Sequence, residues 1–345
     1  MKQLMSMLLP VMLMLSLANL AFAVDKPETK PTKPMYKKYY EGTIGKNLEV
    51  SMTLEIYKSE IRGSYRYKKH RKAIGLKGSL MPDGVSFELT ESADNKVSGR
   101  FKGKFAKDYN ELQGEWSGKQ TLPFALAAAA NIVMGKQKEY NIEYETVEFI
   151  LPDKELSQRL NAQLKTSIAS FYKEYIEFYE ETKKDPQAAK DITTRWEFTL
   201  NVADINYFPN KIVSITYDNM VDTSGAHPSV AIITVNIGIG KDGLYSITPA
   251  MMFKKDSAYL KKIADIYVKT LNKEAEADGF DPYNDDDVKY LIEALKSSDK
   301  YKIQQGGIEI AYQRRHAEGT RFVQIPYDKI KTIIAPDGPL GLFIK

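Results

Sequence analysis

Cysteine is absent from all 345 residues, histidine occurs three times and tryptophan twice. Without cysteine there is no thiolate nucleophile, no cysteine-ligated metal, no disulfide and no lipid anchor on a thiol. A chain of this length can be stable on its core alone, so disulfides are dispensable even in an oxidising compartment. His70, His227 and His316 are far apart in sequence. Only a carboxylate-rich site could therefore hold a metal, and none is expected. Neither a glycine-rich phosphate loop nor a dinucleotide fingerprint occurs, so no nucleotide cofactor is expected either. Beyond the first 23 residues no run approaches the roughly 20 apolar residues that a membrane span requires.

The first residues, MKQLMSMLLPVMLMLSLANLAFA, have the layout of a leader. Lys2 supplies the positive end, an apolar stretch runs from Met5 to Leu17, and Ala21-Phe22-Ala23 is a small-x-small cleavage site. Cleavage after Ala23 predicts a periplasmic or secreted protein that does not span the membrane afterwards. Residues 24–35, VDKPETKPTKPM, carry three prolines and three lysines and read as a disordered linker. The net charge of +4 is uneven: Tyr36 to Leu126 holds 17 Lys/Arg against 11 Asp/Glu, and Ala127 onward holds 28 against 32. That excess is too small to argue for nucleic acid, and export argues against it.

From Tyr39 to Leu126 the apolar period is two. Leu48, Val50, Met52, Leu54 and Ile56 alternate with polar residues, as do Ile61, Gly63, Tyr65 and Tyr67, and the later runs around Leu89, Phe101 and Leu112. Each is a half-buried strand with one wet face. PDG at 82–84 and ADN at 93–95 are turn signals between them. Seven or eight such strands predict an all-β antiparallel meander, closed into a barrel or strongly curved, over residues 36–135. IRGSYRY…IGLKGSL is echoed by VSGRFKGKF…NELQGEW, with inward glycines beside aromatics that permit sharp bending and close strand approach.

The second half mixes periods. NIEYETVEFIL at 141–151 is strand-like. Residues 153–183 place Leu156, Leu160, Leu164, Ile168, Phe171, Tyr175, Ile176 and Tyr179 on one helical stripe, with Asp153 as N-cap. Strands are expected near 193–205, 211–221 and 229–239, helices over 257–276 and 286–297, and a strand pair in GGIEIAY and TRFVQIPY. The expectation is a second, α+β domain over residues 139–333, with helices on one face of an antiparallel sheet, and a C-terminal tail at 334–345.

DTSGAHP, residues 222–228, joins two of these strands. Asp222, Ser224 and His227 are the residue types of a hydrolytic triad, but triad members are assembled by a fold, and five consecutive loop positions rarely suffice. A G-x-S-x-G elbow is missing. Pro228 pushes His227 towards extended backbone, and Gly225 offers a positive φ before it. The loop therefore has a nearly fixed shape. Asp222, Ser224, Gly225, His227 and Pro228 are the candidate binding residues, and no catalytic residue is assigned. NDDD at 284–287 lacks the glycine bend and later glutamate of a calcium loop and reads as an acidic helix start. Arg62, Arg66, Lys68, Arg100, Lys102 and Lys104 would form a basic stripe if their strands were close, and are otherwise a solvated outer face.

Residues 139–333 resemble the RsiV-like C-terminal domain of unknown function, also found ahead of the catalytic domain in PdaC-like peptidoglycan deacetylases. The likeness rests on LNAQLKTSIASFYKEY, on VSITYDNMVDTSGAHPSVAIITVNIGIGKDGLYSITPAMMF centred on Gly225-Ala226-His227-Pro228, and on GIEIAYQRRHAEGTRFVQIPYDKI. Ser224-Gly225 stands where that family usually has two glycines, and Ala250 to Met252 replaces its acid before the aromatic. The resemblance implies an exported or tethered, non-catalytic domain, which in the anti-sigma member binds lysozyme. The expectation is therefore an exported, non-enzymatic binding protein of the cell envelope, its partner lysozyme, another envelope protein or a glycan. A lysozyme-recognising sensor or inhibitor needs the 222–227 loop exposed. A wall-active hydrolase, the remaining alternative, needs a cleft in which His227 meets Asp218 or Asp222.

Overall fold

The computed structural model describes residues 36–69, 72–93, 96–225, 227–278, 281–314 and 319–344. The segments expected to be a leader, 1–23, and a linker, 24–35, lie outside them, as do His70 and His316. Among the described residues no helix is long and apolar enough to cross a membrane.

Alternation builds the first part as the sequence predicts. Strands β1 (Tyr36–Ile44), β2 (Leu48–Tyr57), β3 (Glu60–Tyr67), β4 (Ile74–Leu80), β5 (Ser86–Ala93), β6 (Lys96–Phe105), β7 (Glu111–Ser117) and β8 (Thr121–Gln137) each pair with the next. β1 also pairs antiparallel with β8, from Ile44 opposite Phe124 to Lys38 opposite Asn131, which closes an eight-stranded barrel. Val50, Met52, Leu54, Ile56, Ile61, Leu89 and Phe101 fill its interior. The inward glycines serve the tight wall. Phe87, Gly103, Gly114 and Phe124 lie side by side across β5 to β8, and the two phenyl rings, 6.3 Å apart, both close over Gly103. β4 and β5 separate β3 from β6, so the condition for a basic stripe is not met. Arg62 and Lys68 instead pair with Glu60 and Glu41.

β8 continues beyond the barrel. Its second half pairs with β9 (Ile142–Phe149), and the sheet runs on through β10 (Glu197–Phe208), β11 (Ile212–Asp222), β12 (Ser229–Gly240) and β13 (Gly243–Ser246). The expected wholly antiparallel sheet is corrected at one joint: β9 and β10 are parallel over Phe198 to Leu200. A parallel pair needs a long crossover. Helices α1 (Lys154–Thr182) and α2 (Pro186–Arg195) provide it. The strand expected from 193 therefore starts at Glu197, because Asp185 caps α2 through the Gln187 amide (2.8 Å) and Pro186 favours its first turn.

α1 buries Leu156, Leu160, Leu164, Ile168, Tyr175 and Tyr179 against one face of this sheet. Asp153 accepts the Leu156 amide at 3.0 Å, the cap read from the sequence. Asp153→Ala should cost about 1 kcal/mol, measured as a lowered urea midpoint with unchanged slope.

The opposite face of β11 and β12 is polar and meets a separate three-stranded sheet, β14 (Tyr301–Gln304), β15 (Gly307–Tyr312) and β16 (Arg321–Pro326). Ser214 Oγ accepts the Ile303 amide (3.1 Å), and Asn236 Nδ2 donates to the Tyr301 carbonyl (2.6 Å). Behind this sheet, the longer helices are α4 (Tyr259–Asp278) and α5 (Asp285–Ala294), preceded by a single turn, α3 (Pro249–Met252). Ile263, Tyr267, Leu291, Ile303, Ile310, Val323 and Ile325 share their core. NDDD opens α5 as a capping box: Asn284 accepts the Asp287 amide and Asp287 accepts the Asn284 amide, both at 3.0 Å.

Candidate functional site

Asp222 ends β11 and Ser229 begins β12, so the candidate loop is the tip of a long hairpin. Asp222 Oδ1 accepts the Ser224 amide at 2.8 Å, closing an Asx turn. The left-handed residue is Ser224, at φ 62°, and not Gly225 as expected. The Asp222 carboxylate, two residues upstream, organises the turn at serine, leaving the glycine in ordinary backbone. Ser224, Gly225 and His227 are exposed, while Asp222 and Pro228 are half-buried. Val230, just inside β12, is 49% exposed beside them.

A second feature was not legible in the sequence. The outer face of β2 and β3, the polar face of β10 to β12 and the three-stranded sheet enclose a cleft of about 360 Å³. Its anchor is Asp204. A register shift in β10 between Val202 and Asp204 marks a bulge, and bulges redirect side chains in this way. Arg66 of β3 clasps the Asp204 carboxylate with both terminal nitrogens, one at 2.7 Å, and also donates to the Ile205 carbonyl at 3.0 Å. Lys302 of β14 reaches Asp204 at 2.7 Å and Glu309 of β15 at 3.1 Å. Gln324 of β16 donates to the other Glu309 oxygen at 3.0 Å.

Burial alone would raise the Asp204 carboxyl. Arg66 and Lys302 outweigh it and hold the group well below the usual carboxylate range. Loss of water opposes the charge on Lys302, and Asp204 and Glu309 more than restore it, so its ammonium is raised. A neighbouring cluster joins barrel to sheet by the same logic. Lys37 of β1 lies 2.9 Å from Glu55 and 2.8 Å from Glu145, and Glu145 also accepts the Val202 amide at 2.8 Å.

Two acceptors in the cleft remain unmet among the described residues. Gln304 is 5% exposed, and its Oε1 has no hydrogen-bond partner. It also borders a void of about 30 Å³ lined by Tyr39, Glu41 and Lys68. Asp218 lines the same cleft. Its carboxyl is raised because the walls strip water from it more than Lys37 and Lys302 favour its charge. At the mouth, Phe322 is 48% exposed, and Ile232 lies on the lining.

The structure thus separates two features. Asp218 borders the cleft, whereas Asp222, Ser224 and His227 do not. Among the described residues no three His, Asp or Glu side chains gather in a metal-ligating group.

No family model matches the chain, and no curated protein sequence matches it. Among the solved structures that resemble it are two from the DUF3298 family. One is a member of the DUF3298 family from Bacteroides fragilis, 13% identical, with a TM-score of 0.42, covering 63% of this chain and 96% of that one. The other is a DUF3298 family protein from Pseudomonas aeruginosa, 15% identical, with a TM-score of 0.37, covering 60% and 92%. DUF3298 is a family of unknown function, and at these values no residue role is transferred from either structure.

Proposed function

We propose that the protein is an exported, non-catalytic binding protein of the cell envelope, and that Asp222–Pro228 is its contact surface for a macromolecular partner. The observation that carries this reading is the exposure of Ser224, Gly225 and His227 at the tip of a hairpin whose shape is set by the Asp222 turn. A pre-shaped loop loses little conformational freedom on binding, so more of its contact energy becomes affinity. The leader supports export, and the RsiV-like resemblance supports a binding role. In this reading the barrel, 36–135, is the scaffold domain, and the α+β domain, 139–333, presents the loop.

Non-catalysis is supported by how the cleft uses its charges. Arg66, Asp204, Lys302 and Glu309 neutralise one another. His227, the sole histidine among the described residues, stands outside the lining. A hydrolase would need a base poised beside its nucleophile.

A basic protein suits the acidic second half, which makes lysozyme the first partner to test. Calorimetry of the purified protein with lysozyme and with purified peptidoglycan, beside His227→Ala, tests the reading. The expected result is binding that weakens at least about tenfold in the variant, a loss of about 1.4 kcal/mol, with an unchanged melting temperature. Binding unaffected by His227→Ala would remove the loop from the reading. Turnover of peptidoglycan would end the non-catalytic one.

A further inference from the structure

We propose that the cleft between the barrel and the polar face of the second sheet is a separate binding site, and that it takes a small organic cation bearing a primary ammonium group. The site is distinct from the hairpin tip, so the two proposals stand or fall independently.

The charges of the cleft are largely committed to one another. Its lining holds two cations, Arg66 and Lys302, and three carboxylates, Asp204, Asp218 and Glu309. Both cations are occupied: Arg66 by Asp204 and the Ile205 carbonyl, Lys302 by Asp204 and Glu309. An anionic ligand would have to break those pairs, and breaking buried pairs is costly. Asp218, by contrast, forms no hydrogen bond or ion pair with the described residues. It is the one lining carboxylate whose charge is uncompensated at contact distance, and an ammonium group would supply both charge and donors.

Gln304 is the independent observation. Its side chain is nearly inaccessible and borders the cavity, yet its amide oxygen has no partner. A buried polar atom left unpaired costs about 1–3 kcal/mol, so such groups normally face a ligand or ordered water. Either orientation of the amide leaves a polar atom for an incoming group. Asp218 then sets the sign of the charge that the cleft takes.

Size and rim agree. About 360 Å³ falls at the lower end of small-molecule sites, which suits a short alkyl amine and not a polymer chain. Ile232 and the exposed ring of Phe322 offer apolar surface for methylenes, and the ring face attracts a cation. The hydroxyls of Ser51, Thr53, Ser64 and Thr216 on the walls accept further donors.

The test is calorimetry of the full chain with putrescine, with butane-1,4-diol as the neutral isostere and succinate as the anionic one. Expected is saturable binding of putrescine, no binding of diol or succinate, and at least a tenfold loss in Asp218→Asn. Asp218 is exposed, so that variant should fold normally, and Asp242→Asn, also exposed and outside the cleft, should leave putrescine affinity unchanged. The proposal is overturned if putrescine gives no heat at millimolar concentration, or if Asp218→Asn binds it as well as the parent. Diol binding equal to putrescine would show a polyol site, and succinate binding would show an anion site. A void filled only by water would leave all three ligands silent.

Discussion

Asp204→Ala is expected to lower stability by about 3 kcal/mol or more, because removing one partner of a buried pair strands the other. Here it strands two cations. Arg66 would keep the Ile205 carbonyl and a long contact to Ser51 Oγ at 3.3 Å. Lys302 would keep Glu309 alone. The side chains of Arg66, Asp204 and Lys302 are 14%, 18% and 15% exposed, so water restores little of the loss. Arg66→Ala should cost less. Asp204 would still hold Lys302, its neighbour's amide from Ile205 at 2.9 Å and the Asn206 side chain at 3.3 Å. Urea unfolding at neutral pH would rank the two variants, and the reverse order would show that Arg66 and not Asp204 is the centre of the cluster. The pH dependence has a definite sign. The folded-state pKa of Asp204 is depressed, so its contribution is fully present above the ordinary carboxylate value of about 3.9. It is lost as pH falls through the lower folded-state value. Asp204→Asn should therefore flatten the acid side of the stability profile while leaving the neutral-to-basic side parallel to that of the parent.

How much of this was legible depends on the range over which each feature is encoded. The α1 stripe and its Asp153 cap are local and sit where the period of three and four places them. The barrel strands follow from alternation, but closure depends on β1 meeting β8, which no local pattern specifies. The segment TTRW carries β-branched and aromatic residues and reads as strand. The crossover demanded by the parallel β9–β10 pair takes Thr193 to Arg195 into α2. The hairpin tip was visible as a loop because glycine and proline punctuate it. Its positive φ moved to Ser224 because the Asp222 carboxylate, rather than glycine's freedom, decides the turn. The cleft was invisible for a different reason. Arg66, Asp204 and Asp218 occupy polar positions in three separate strands, Lys302 and Gln304 share a fourth, and singly each looks like an ordinary solvated face. Only the bulge in β10 hinted at it, as a break in the alternation at Val202-Ala203-Asp204.

The largest loss is expected from a change of three heavy atoms. Gly114 lies between Gly103 on β6 and Phe124 on β8. A Cβ there would stand 2.1 Å from the Lys102 carbonyl oxygen and 2.5 Å from the Gly103 Cα. Both are backbone, so no rotamer change relieves the clash, and β6 and β7 would have to separate. Overpacking where side chains can shift costs about 1–3 kcal/mol. Prising apart two strands of a closed wall should exceed that, since it also breaks ladder hydrogen bonds and uncovers Phe87 and Phe124. Gly114→Val is therefore expected to abolish the cooperative thermal transition or to leave the protein insoluble. Gly225→Ala is the matched control. Its Cβ would have only the His227 carbonyl oxygen within reach, at 4.0 Å, and its backbone needs no left-handed φ. That variant should melt within about 0.5 kcal/mol of the parent. Circular dichroism melts of the pair separate the two roles of glycine. If Gly114→Val melted like Gly225→Ala, the barrel wall would have to yield at β6–β7 without opening. The ring pair over Gly103 would then be filling space and not holding the wall together.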